Sequence, residues 1–270
     1  MGETIELKLT KEVIEEIGYK AFVDLAQLFF MKMLTPDISN DTITLRFYKL
    51  DTTSSFHKTD KSNEKYGVNS EFFMINKTTQ FSFLYHYKQA LKFVKITDKT
   101  DILNLGINKG DEFQVIKSML NNDEFNEKKF TGIDYSNSII TYAKTKFPHA
   151  NMKFISYDIN NLKKLNLGKF DLIISIGTLQ SSNLNFNKTF MDIYQNYLQK
   201  GGSIILGFPN CRWIDGEMIY GAKAPNYPFS EMSLVLKDIH FCKKYLQQKG
   251  YRVVITGKDY LFLSAIAIHR

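Results

Sequence analysis

The sequence has few cysteines and no long hydrophobic run. Its two cysteines, Cys211 and Cys242, are not in the spacing of a metal or redox motif, so we interpret them as reduced thiols and expect no metal site. No apolar stretch reaches the roughly 18 residues of a membrane span, and the first residues, MGETIELK, lack the apolar segment of a secretory signal. We therefore expect a cytoplasmic protein that does not enter a membrane.

Positive charge is in excess but is not concentrated. The formal net charge is +7, yet the lysines are scattered among acidic residues, without a dense basic run or an arginine cluster. Charge alone therefore leaves a nucleic-acid partner open. The sequence also lacks internal repeats and low-complexity segments, while its hydrophobic content of 44% is enough for a packed core.

Short apolar runs alternate with helical patterns from about residue 100 onwards. The runs are bounded by turn-forming residues, as in strands buried on both faces of a parallel sheet. The predicted strands are 101–106, 129–135, 151–158, 169–177, 203–208, 251–257 and 261–269. A short loop joins the last two, which must be antiparallel, so the pattern predicts a doubly wound α/β fold with a seven-stranded, mostly parallel sheet. Ligands of such sheets bind beyond the carboxyl ends of the strands.

The first 80 residues do not follow this alternation. Residues 41–50 alternate apolar and polar side chains as a strand does, and residues 11–34 have the pattern of one or two helices. We interpret residues 1–80 as an N-terminal α+β cap and residues 81–270 as the sheet domain.

A glycine-containing loop, GINKG at residues 106–110, follows the first strand of the sheet. In a dinucleotide-binding G-x-G-x-x-G loop, Asn108 and Asp111 would replace the second and third glycines. The carboxylate of Asp111 would then repel a pyrophosphate at the helix N-terminus. No Gly-Lys-Ser/Thr follows, which excludes the ATP-binding P-loop as well. The loop therefore argues against an NAD-linked oxidoreductase or an ATP site.

The loop instead resembles the acid-x-Gly-x-Gly-x-Gly motif of class I S-adenosylmethionine-dependent methyltransferases. Asn104 stands at the acidic position, and Asn108 replaces the middle glycine. Gly106 and Gly110 match the first and last glycines. S-adenosylmethionine carries a sulfonium and an ammonium but no phosphate, so neighbouring carboxylates are compatible with it. Asparagine adopts a left-handed φ more readily than most residues do, and we expect that conformation at Asn108.

Further segments resemble the same family in the same order, so the resemblance covers about residues 81–270. FTGIDYS places Asp134 where the family's acid binds the ribose hydroxyls, and FISYDINNL places Asp158 and the amide of Ile159 where the adenine binds. FDLIISIGTLQSS resembles the fourth strand and its loop, which line the methyl-transfer site. The resemblance implies S-adenosylmethionine as the cofactor. The cofactor-binding residues that it implies are Asn104, Gly106, Ile107, Asn108, Gly110, Asp134, Tyr135, Asp158, Ile159, Ser175, Ile176 and Gly177.

The sequence does not identify the catalytic group. The Asn/Asp-Pro-Pro-aromatic motif of methyltransferases acting on base amino groups is absent, since the corresponding loop reads IGTL at residues 176–179. His86 is the candidate that we name, because it lies on the predicted helix leading into the first strand.

A long connection, residues 208–232, follows the fifth strand. It holds three prolines and the only tryptophan of the chain. Such stretches in compact domains are usually functional, so we expect an irregular lid over the site. Its predicted substrate residues are Arg212, Trp213 and Tyr220.

These features predict an S-adenosylmethionine-dependent methyltransferase that acts on a small-molecule acceptor. Two alternatives stay open, a methyltransferase that acts on RNA such as tRNA or rRNA, and a non-catalytic binding module with the same fold. The sequence does not identify the acceptor, and we predict no oligomeric state from it.

Overall fold

The computed structural model describes residues 3–52, 66–222 and 230–268. By its contacts the chain forms two compact units. The smaller unit consists of Met1–Lys58 with Cys211–Tyr220, and the larger unit consists of Thr59–Asn210 with Gly221–Arg270. The predicted boundary at residue 80 stays a prediction.

The elements of the described residues are numbered along the chain. The strands are β1 (Thr4–Thr10), β2 (Met31–Met33), β3 (Asp37–Ile38), β4 (Thr42–Lys49), β5 (Asp101–Leu105), β6 (Lys129–Asp134), β7 (Met152–Ser156), β8 (Phe170–Ile176), β9 (Leu198–Pro209), β10 (Cys211–Ile214), β11 (Glu217–Tyr220), β12 (Tyr251–Gly257) and β13 (Tyr260–Ala267). The α-helices are α1 (Lys11–Ile17), α2 (Tyr19–Leu28), α3 (Glu71–Met74), α4 (Phe81–Phe93), α5 (Asp111–Met119), α6 (Asn122–Asn126), α7 (Asn137–Lys146), α8 (Phe186–Tyr197) and α9 (Ser233–Gln248). Short 3-10 helices are formed by Lys77–Thr79, Ile96–Asp98 and Ile159–Leu165.

The larger unit is built on a seven-stranded sheet with the strand order β12-β13-β9-β8-β5-β6-β7. The five strands from β9 to β7 pair in parallel. β13 is antiparallel to both of its neighbours, β12 and β9. The predicted fold, a mostly parallel seven-stranded sheet with an antiparallel last strand, is confirmed. β5 is the middle one of the five parallel strands, so its carboxyl end lies between the carboxyl ends of β8 and β6.

The two faces of β5 lie against different layers. Alternation along the strand sends Leu103 and Leu105 into the core under α8 and α9. Asn104 therefore points to the opposite face, on the side covered by α4, where the ring of Tyr87 stacks on Phe262 of β13 at 5.8 Å between centroids. A polar side chain at this buried position is unusual for a parallel strand.

The smaller unit has an antiparallel sheet in the order β1-β4-β2, with β3 also paired to β4. The predicted strand over residues 41–50 is β4, and its alternate side chains are buried as expected. Helices α1 and α2 supply the rest of the core. The buried core residues are Ile14, Phe22, Ala26, Ile43, Leu45 and Phe47. The N-terminal region thus has the α+β character that the sequence predicted.

The expectation of an irregular connection over residues 208–232 is wrong for most of its described part. β9 continues to Pro209, and β10 and β11 form an antiparallel hairpin in which Trp213 lies opposite Met218. The turn residues Asp215 and Gly216 both have positive φ, 48° and 75°. An Asp-Gly pair is a strong hairpin signal, because a two-residue hairpin turn of this type needs a positive φ at both of its central residues. Residues 223–229 of the connection lie outside the described residues.

Candidate functional site

In the loop after β5, three alternate residues have a positive, left-handed φ. Gly106, Asn108 and Gly110 have φ values of 75°, 44° and 76°. The conformation expected for Asn108 is therefore present. The backbone N–H groups of Gly106 and Ile107 donate to the carbonyl oxygen of Ile133 at 2.8 and 3.1 Å. These bonds fix the loop against the end of β6.

Gly106 is required by space as well as by conformation. A Cβ atom at this position would lie 1.9 Å from the Oγ1 atom of Thr178 and 2.8 Å from its Cβ atom. The loop after β8 is therefore packed directly on the loop after β5. No side chain fits between them without moving one of the two loops.

Asp134 connects the loop to the end of β6. Its Oδ2 atom accepts from the backbone N–H of Asn108 at 3.0 Å, and its Oδ1 atom accepts from the N–H of Ser136 at 3.1 Å. Burial raises the pKa of the Asp134 carboxyl, while the hydrogen bonds from Asn108, Ser136 and Tyr135 lower it. Each carboxylate oxygen keeps a further lone pair for a hydroxyl donor. Ser136 is the N-cap of α7 as its sequence position suggests, since its Oγ atom accepts from the N–H of Ile139.

Several buried polar atoms near this loop have no hydrogen-bond partner among the described residues. They include both amide atoms of Asn104, the Oδ1 atom of Asn108 and the Oε2 atom of Glu112. Asn104 is fully buried. Leaving a buried polar group unsatisfied costs about 1–3 kcal/mol, so each such group in a folded protein needs an explanation. A ligand that donates and accepts hydrogen bonds supplies one.

A buried ion pair lies beside these atoms. The Nζ atom of Lys77 is 2.6 Å from the Oε1 atom of Glu112, in the first turn of α5, and both side chains are almost fully buried. Tyr87 of α4 is fully buried nearby, and burial together with the charge of Glu112 raises the pKa of its hydroxyl. The sequence analysis did not identify these three residues as a group.

The segment before α4 reaches the glycine loop through a second lysine. The Nζ atom of Lys109 donates to the carbonyl oxygen of Ile75 at 2.5 Å and lies 5.3 Å from the ring centroid of Phe73. The backbone N–H of Val68 donates to the Oγ atom of Ser138 at 3.1 Å, at the start of α7. Residues 66–79 therefore pack on both the loop and α7, where they restrict access to the carboxyl ends of β5 and β6.

The residues predicted at the ends of β7 and β8 lie at the same edge of the sheet. The N–H of Tyr157 donates to the carbonyl oxygen of Asp134 at 2.8 Å, which places Asp158 and Ile159 directly after this contact. Asp158 caps its own turn, since its Oδ1 atom accepts from the N–H of Asn160 at 2.9 Å.

At the end of β8, the predicted residues 175–177 are held against the neighbouring strands. The Oγ atom of Ser175 donates to the carbonyl oxygen of Leu105 at 3.3 Å. The N–H of Gly177 donates to the carbonyl oxygen of Gly207 at 2.9 Å. The structure therefore brings the loop, Asp134, Asp158 and the end of β8 together, as the parallel topology requires.

The remaining predicted residues have contacts of their own. His86 is half-buried on α4, with its ring edge-on to Tyr85 at 5.1 Å between centroids. The predicted substrate residues belong to the β10–β11 hairpin of the smaller unit. The guanidinium of Arg212 lies 4.8 Å from the ring centroid of Phe30, and burial lowers the pKa of the arginine. Tyr220 is about half exposed.

Over residues 3–52, 66–222 and 230–268, no group of three or more His, Cys, Asp or Glu side chains is arranged to hold a metal ion. Within the same ranges, no helix combines the length and the apolar composition that crossing a membrane requires.

Comparison with known proteins identifies the family. The family described as a methyltransferase domain matches residues 96–254, which is more than half of the chain. The chain therefore belongs to this family, one of the class I S-adenosylmethionine-dependent methyltransferases, and it has their fold. A search of curated proteins by sequence found no match.

Solved structures of methyltransferases share the fold. The DszA carbon methyltransferase superimposes with a TM-score of 0.53 at 12% identity, covering 100% of this chain and 85% of its own. The plantazolicin methyltransferase BpumL, solved in complex with a monoazolic desmethylPZN analog and SAH, gives a TM-score of 0.48 at 14% identity, covering 72% of this chain and 87% of its own. At such identities the likeness concerns the fold alone.

Proposed function

We propose that the chain binds S-adenosylmethionine at the carboxyl ends of β5, β6, β7 and β8 and transfers its methyl group to a small-molecule acceptor. The observation that carries the proposal is the fully buried Asn104 amide, which has no hydrogen-bond partner among the described residues. It lies beside a left-handed loop in which Asp134 accepts a hydrogen bond from the N–H of Asn108. These residues combine close backbone approach with unsatisfied polar groups. That combination is expected of a site for a polar small ligand.

The unpartnered atoms fit the amino acid part of S-adenosylmethionine. The Oδ1 atom of Asn104 can accept from the ammonium group, and its Nδ2 atom can donate to the carboxylate. Glu112 provides a nearby negative charge that an amide at position 104 does not. The Oε2 atom of Glu112 is without a partner among the described residues, although its Oε1 atom is paired with Lys77. In this proposal, the carboxylate that the family has on the strand is replaced by one on the following helix, which shares its charge with Lys77.

The remaining predicted residues fit the nucleoside part. Asp134 already accepts two backbone N–H groups and has lone pairs left for the two ribose hydroxyls. The ring of Tyr135 is about half exposed next to it. Ile159 is the first residue of a 3-10 helix, where the N–H groups have no partner within the helix. Its amide is therefore suited to an adenine acceptor atom, with Asp158 as the neighbouring acceptor for the adenine amino group.

When bound, the cofactor would supply the reactive methyl group on its sulfonium. The contribution of the protein would then be to orient the acceptor in line with that methyl group and to exclude water. We assign the lining of the transfer site to Ser175, Ile176 and Gly177. His86 is proposed as a base only for an acceptor that is protonated at working pH.

The acceptor is proposed to bind through the hairpin residues Arg212, Trp213 and Tyr220. Arg212→Ala and Trp213→Ala should then impair turnover or acceptor binding and leave cofactor affinity nearly unchanged. The contact of Arg212 with Phe30 offers the competing structural role. A variant that loses stability and cofactor affinity together would assign its residue to the core.

The cofactor is tested by thermal unfolding with candidate ligands. A ligand at 100 times its Kd stabilises a protein by about 2.7 kcal/mol. S-adenosylmethionine and S-adenosylhomocysteine should therefore raise the melting temperature, while NAD and ATP should not. A shift with NAD alone would overturn the proposal, and no binding of S-adenosylmethionine at millimolar concentration would favour a non-catalytic module.

The assignment of Asp134 is tested by calorimetry on a matched pair of variants. Asp134→Ala should weaken cofactor binding at least about tenfold, because charge-assisted hydrogen bonds contribute about 1.5–3 kcal/mol. Asp123→Ala removes an exposed carboxylate in α6 and serves as the control. Equal affinities in the two variants would show that the ribose is held elsewhere.

The acceptor class is tested by the ligand that co-purifies with the chain. Mass spectrometry of the heat-released fraction should identify a small molecule with a methylatable nucleophile. Transfer of labelled methyl to bulk tRNA or rRNA, without transfer to small-molecule fractions, would instead establish the RNA alternative.

A further inference from the structure

The first strand of the smaller unit has an open edge. β1 pairs with β4 on one side, and no strand of the described residues pairs with its other side. Most of β1 is exposed, including the apolar side chains of Ile5 and Leu7, at 42% and 37%. Proteins usually protect such edges with proline, a bulge, a short length or charged side chains, lysine above all. β1 has no proline, and its seven residues pair with β4 in an unbroken register. Of these devices it has only the charged side chains of Glu6 and Lys8.

The backbone groups at this edge belong to a defined set of residues. The N–H of Lys49 donates to the carbonyl oxygen of Glu3 at 3.0 Å, so the odd-numbered residues of the strand face β4. The even-numbered residues therefore direct their N–H and C=O groups to the open edge. These residues are Thr4, Glu6 and Lys8, together with the N–H of Thr10, whose carbonyl oxygen belongs to the first turn of α1.

We propose that β1 pairs antiparallel with β1 of a second copy of this chain, about a two-fold axis at Leu7. The strand TIELKLT is complementary to itself in this arrangement. Glu6 of each chain faces Lys8 of the other, and Thr4 faces Thr10. Leu7 faces its own copy as a non-hydrogen-bonded pair, in which opposite side chains approach most closely. The interface has the same patch on both chains, as a two-fold dimer requires.

The charges select this register among those that the pleat allows. A shift by one residue would turn the apolar side chains to the wrong face, so only even shifts are possible. A shift by two residues in one direction places Glu6 opposite Glu6, and in the other direction Lys8 opposite Lys8. Like charges directly opposite each other are destabilising. The central register alone of these three pairs opposite charges.

The apolar face of β1 continues the core of its own unit. Ile5 lies opposite Phe47 and Leu7 opposite Leu45, and both of these β4 residues are buried in the core. Pairing of two β1 strands would extend this face across the axis and place Ile5 opposite Leu9 of the second chain. The dimer thus covers apolar surface that one chain leaves open.

The test uses the full chain and four charge variants in sedimentation equilibrium. Glu6→Lys alone, or Lys8→Glu alone, places like charges in both pairs and should weaken the dimer about tenfold or more. The double variant Glu6→Lys/Lys8→Glu should restore it. An equimolar mixture of the two single variants should form a mixed dimer, because each then offers the charge that the other needs. Glu16→Lys, on the exposed side of α1, carries the same charge change as the first variant and should dimerise like the natural chain.

The mixture separates a broken interface from a damaged fold. Glu6 lies opposite Arg46 within its own sheet, so Glu6→Lys also perturbs that sheet, whereas Lys8 lies opposite Thr44. A misfolded variant would not be rescued by its complement. A natural chain that stays monomeric over the whole concentration series would overturn the proposal. Single variants that dimerise as well as Glu16→Lys would overturn it too.

Discussion

The two compact units differ in the polar groups that have no hydrogen-bond partner among the described residues. In the larger unit, such groups include buried side-chain atoms of Asn104, Asn108 and Glu112 at the carboxyl ends of parallel strands. The smaller unit has two such buried atoms, the Nε atoms of Arg46 and Arg212, and in addition a row of backbone groups at the exposed edge of β1. A group that is unpaired inside a protein suits a small ligand, whereas an exposed strand edge suits another strand. The comparison therefore separates a ligand site from an association surface within one chain.

The largest expected effect concerns the ion pairs of the two units. Lys77→Met leaves the Glu112 carboxylate buried without its partner, which should lower the free energy of unfolding by about 3–5 kcal/mol. Lys20→Met in the smaller unit removes an exposed pair with Asp24 and should cost less than about 0.5 kcal/mol. Urea unfolding of both variants measures the difference. Equal losses would mean that burial does not distinguish the two pairs.

A smaller effect is expected at the glycine of the loop. Gly106→Ala introduces a methyl group at positive φ and against Thr178, so we expect a loss of stability of about 2–4 kcal/mol and weaker cofactor binding. Gly168 has a similar φ of 82°, but a Cβ atom there meets nothing within 4 Å. Gly168→Ala should therefore cost only about 1–2 kcal/mol.

The contact with Thr178 can be separated from the backbone conformation. Thr178→Ala removes the Oγ1 and Cγ2 atoms that the new methyl group would meet. The double variant Gly106→Ala/Thr178→Ala should recover part of the lost cofactor affinity in calorimetry. No recovery would assign the effect of Gly106→Ala to the positive φ and to the Cβ atom of Thr178, which the alanine keeps.

Asn108 allows a finer test of the same loop. Asn108→Gly should preserve cofactor binding, because glycine adopts the observed φ of 44° without strain. Asn108→Val should weaken it by about 1–3 kcal/mol, since a β-branched residue is strained at positive φ. Identical affinities of the two variants would show that binding does not depend on this conformation.

More of the larger unit than of the smaller unit could be predicted from the sequence, and the reasons are physical. β5 and β8 are buried on both faces, and each is a mostly apolar run between turn-forming residues. The left-handed φ expected at Asn108, from its place in the glycine-containing loop, is the one that the loop adopts. These features are local in the chain, so the local pattern contains them.

The contacts that were missed join distant parts of the chain. Lys77 and Glu112 are 35 residues apart, and the segment around Lys77 has no clear periodicity. Residues 211–220 group with the first 58 residues, an arrangement that no local pattern indicates. Asp215-Gly216 is a signal for the hairpin, but the prolines of residues 208–232 favoured the prediction of an irregular connection.

The smallest expected effect is on the pH dependence of stability, and it also compares two carboxylates. Burial raises the pKa of Asp134, although its hydrogen bonds oppose the rise. The folded protein then binds this proton more tightly than the unfolded chain does. The stability that the protonated group contributes is full below the unfolded pKa and is lost as the pH rises through the folded pKa. Without cofactor, Asp134→Asn should therefore gain stability relative to the natural chain as the pH rises through this window.

At Glu231 the dependence of stability on pH has the opposite sign to that at Asp134. Hydrogen bonds, first from the backbone N–H of Ser233, lower the pKa of the exposed Glu231 carboxyl. Its contribution to stability is present above the unfolded pKa and is lost as the pH falls through the folded pKa. Relative to the natural chain, Glu231→Gln should lose stability as the pH rises, where Asp134→Asn gains it. Thermal unfolding of the three proteins at several pH values measures both slopes. Slopes of the same sign would mean that the hydrogen bonds from Asn108 and Ser136 outweigh burial at Asp134, and the carboxylate would then be held ready for the ribose at no cost to the fold.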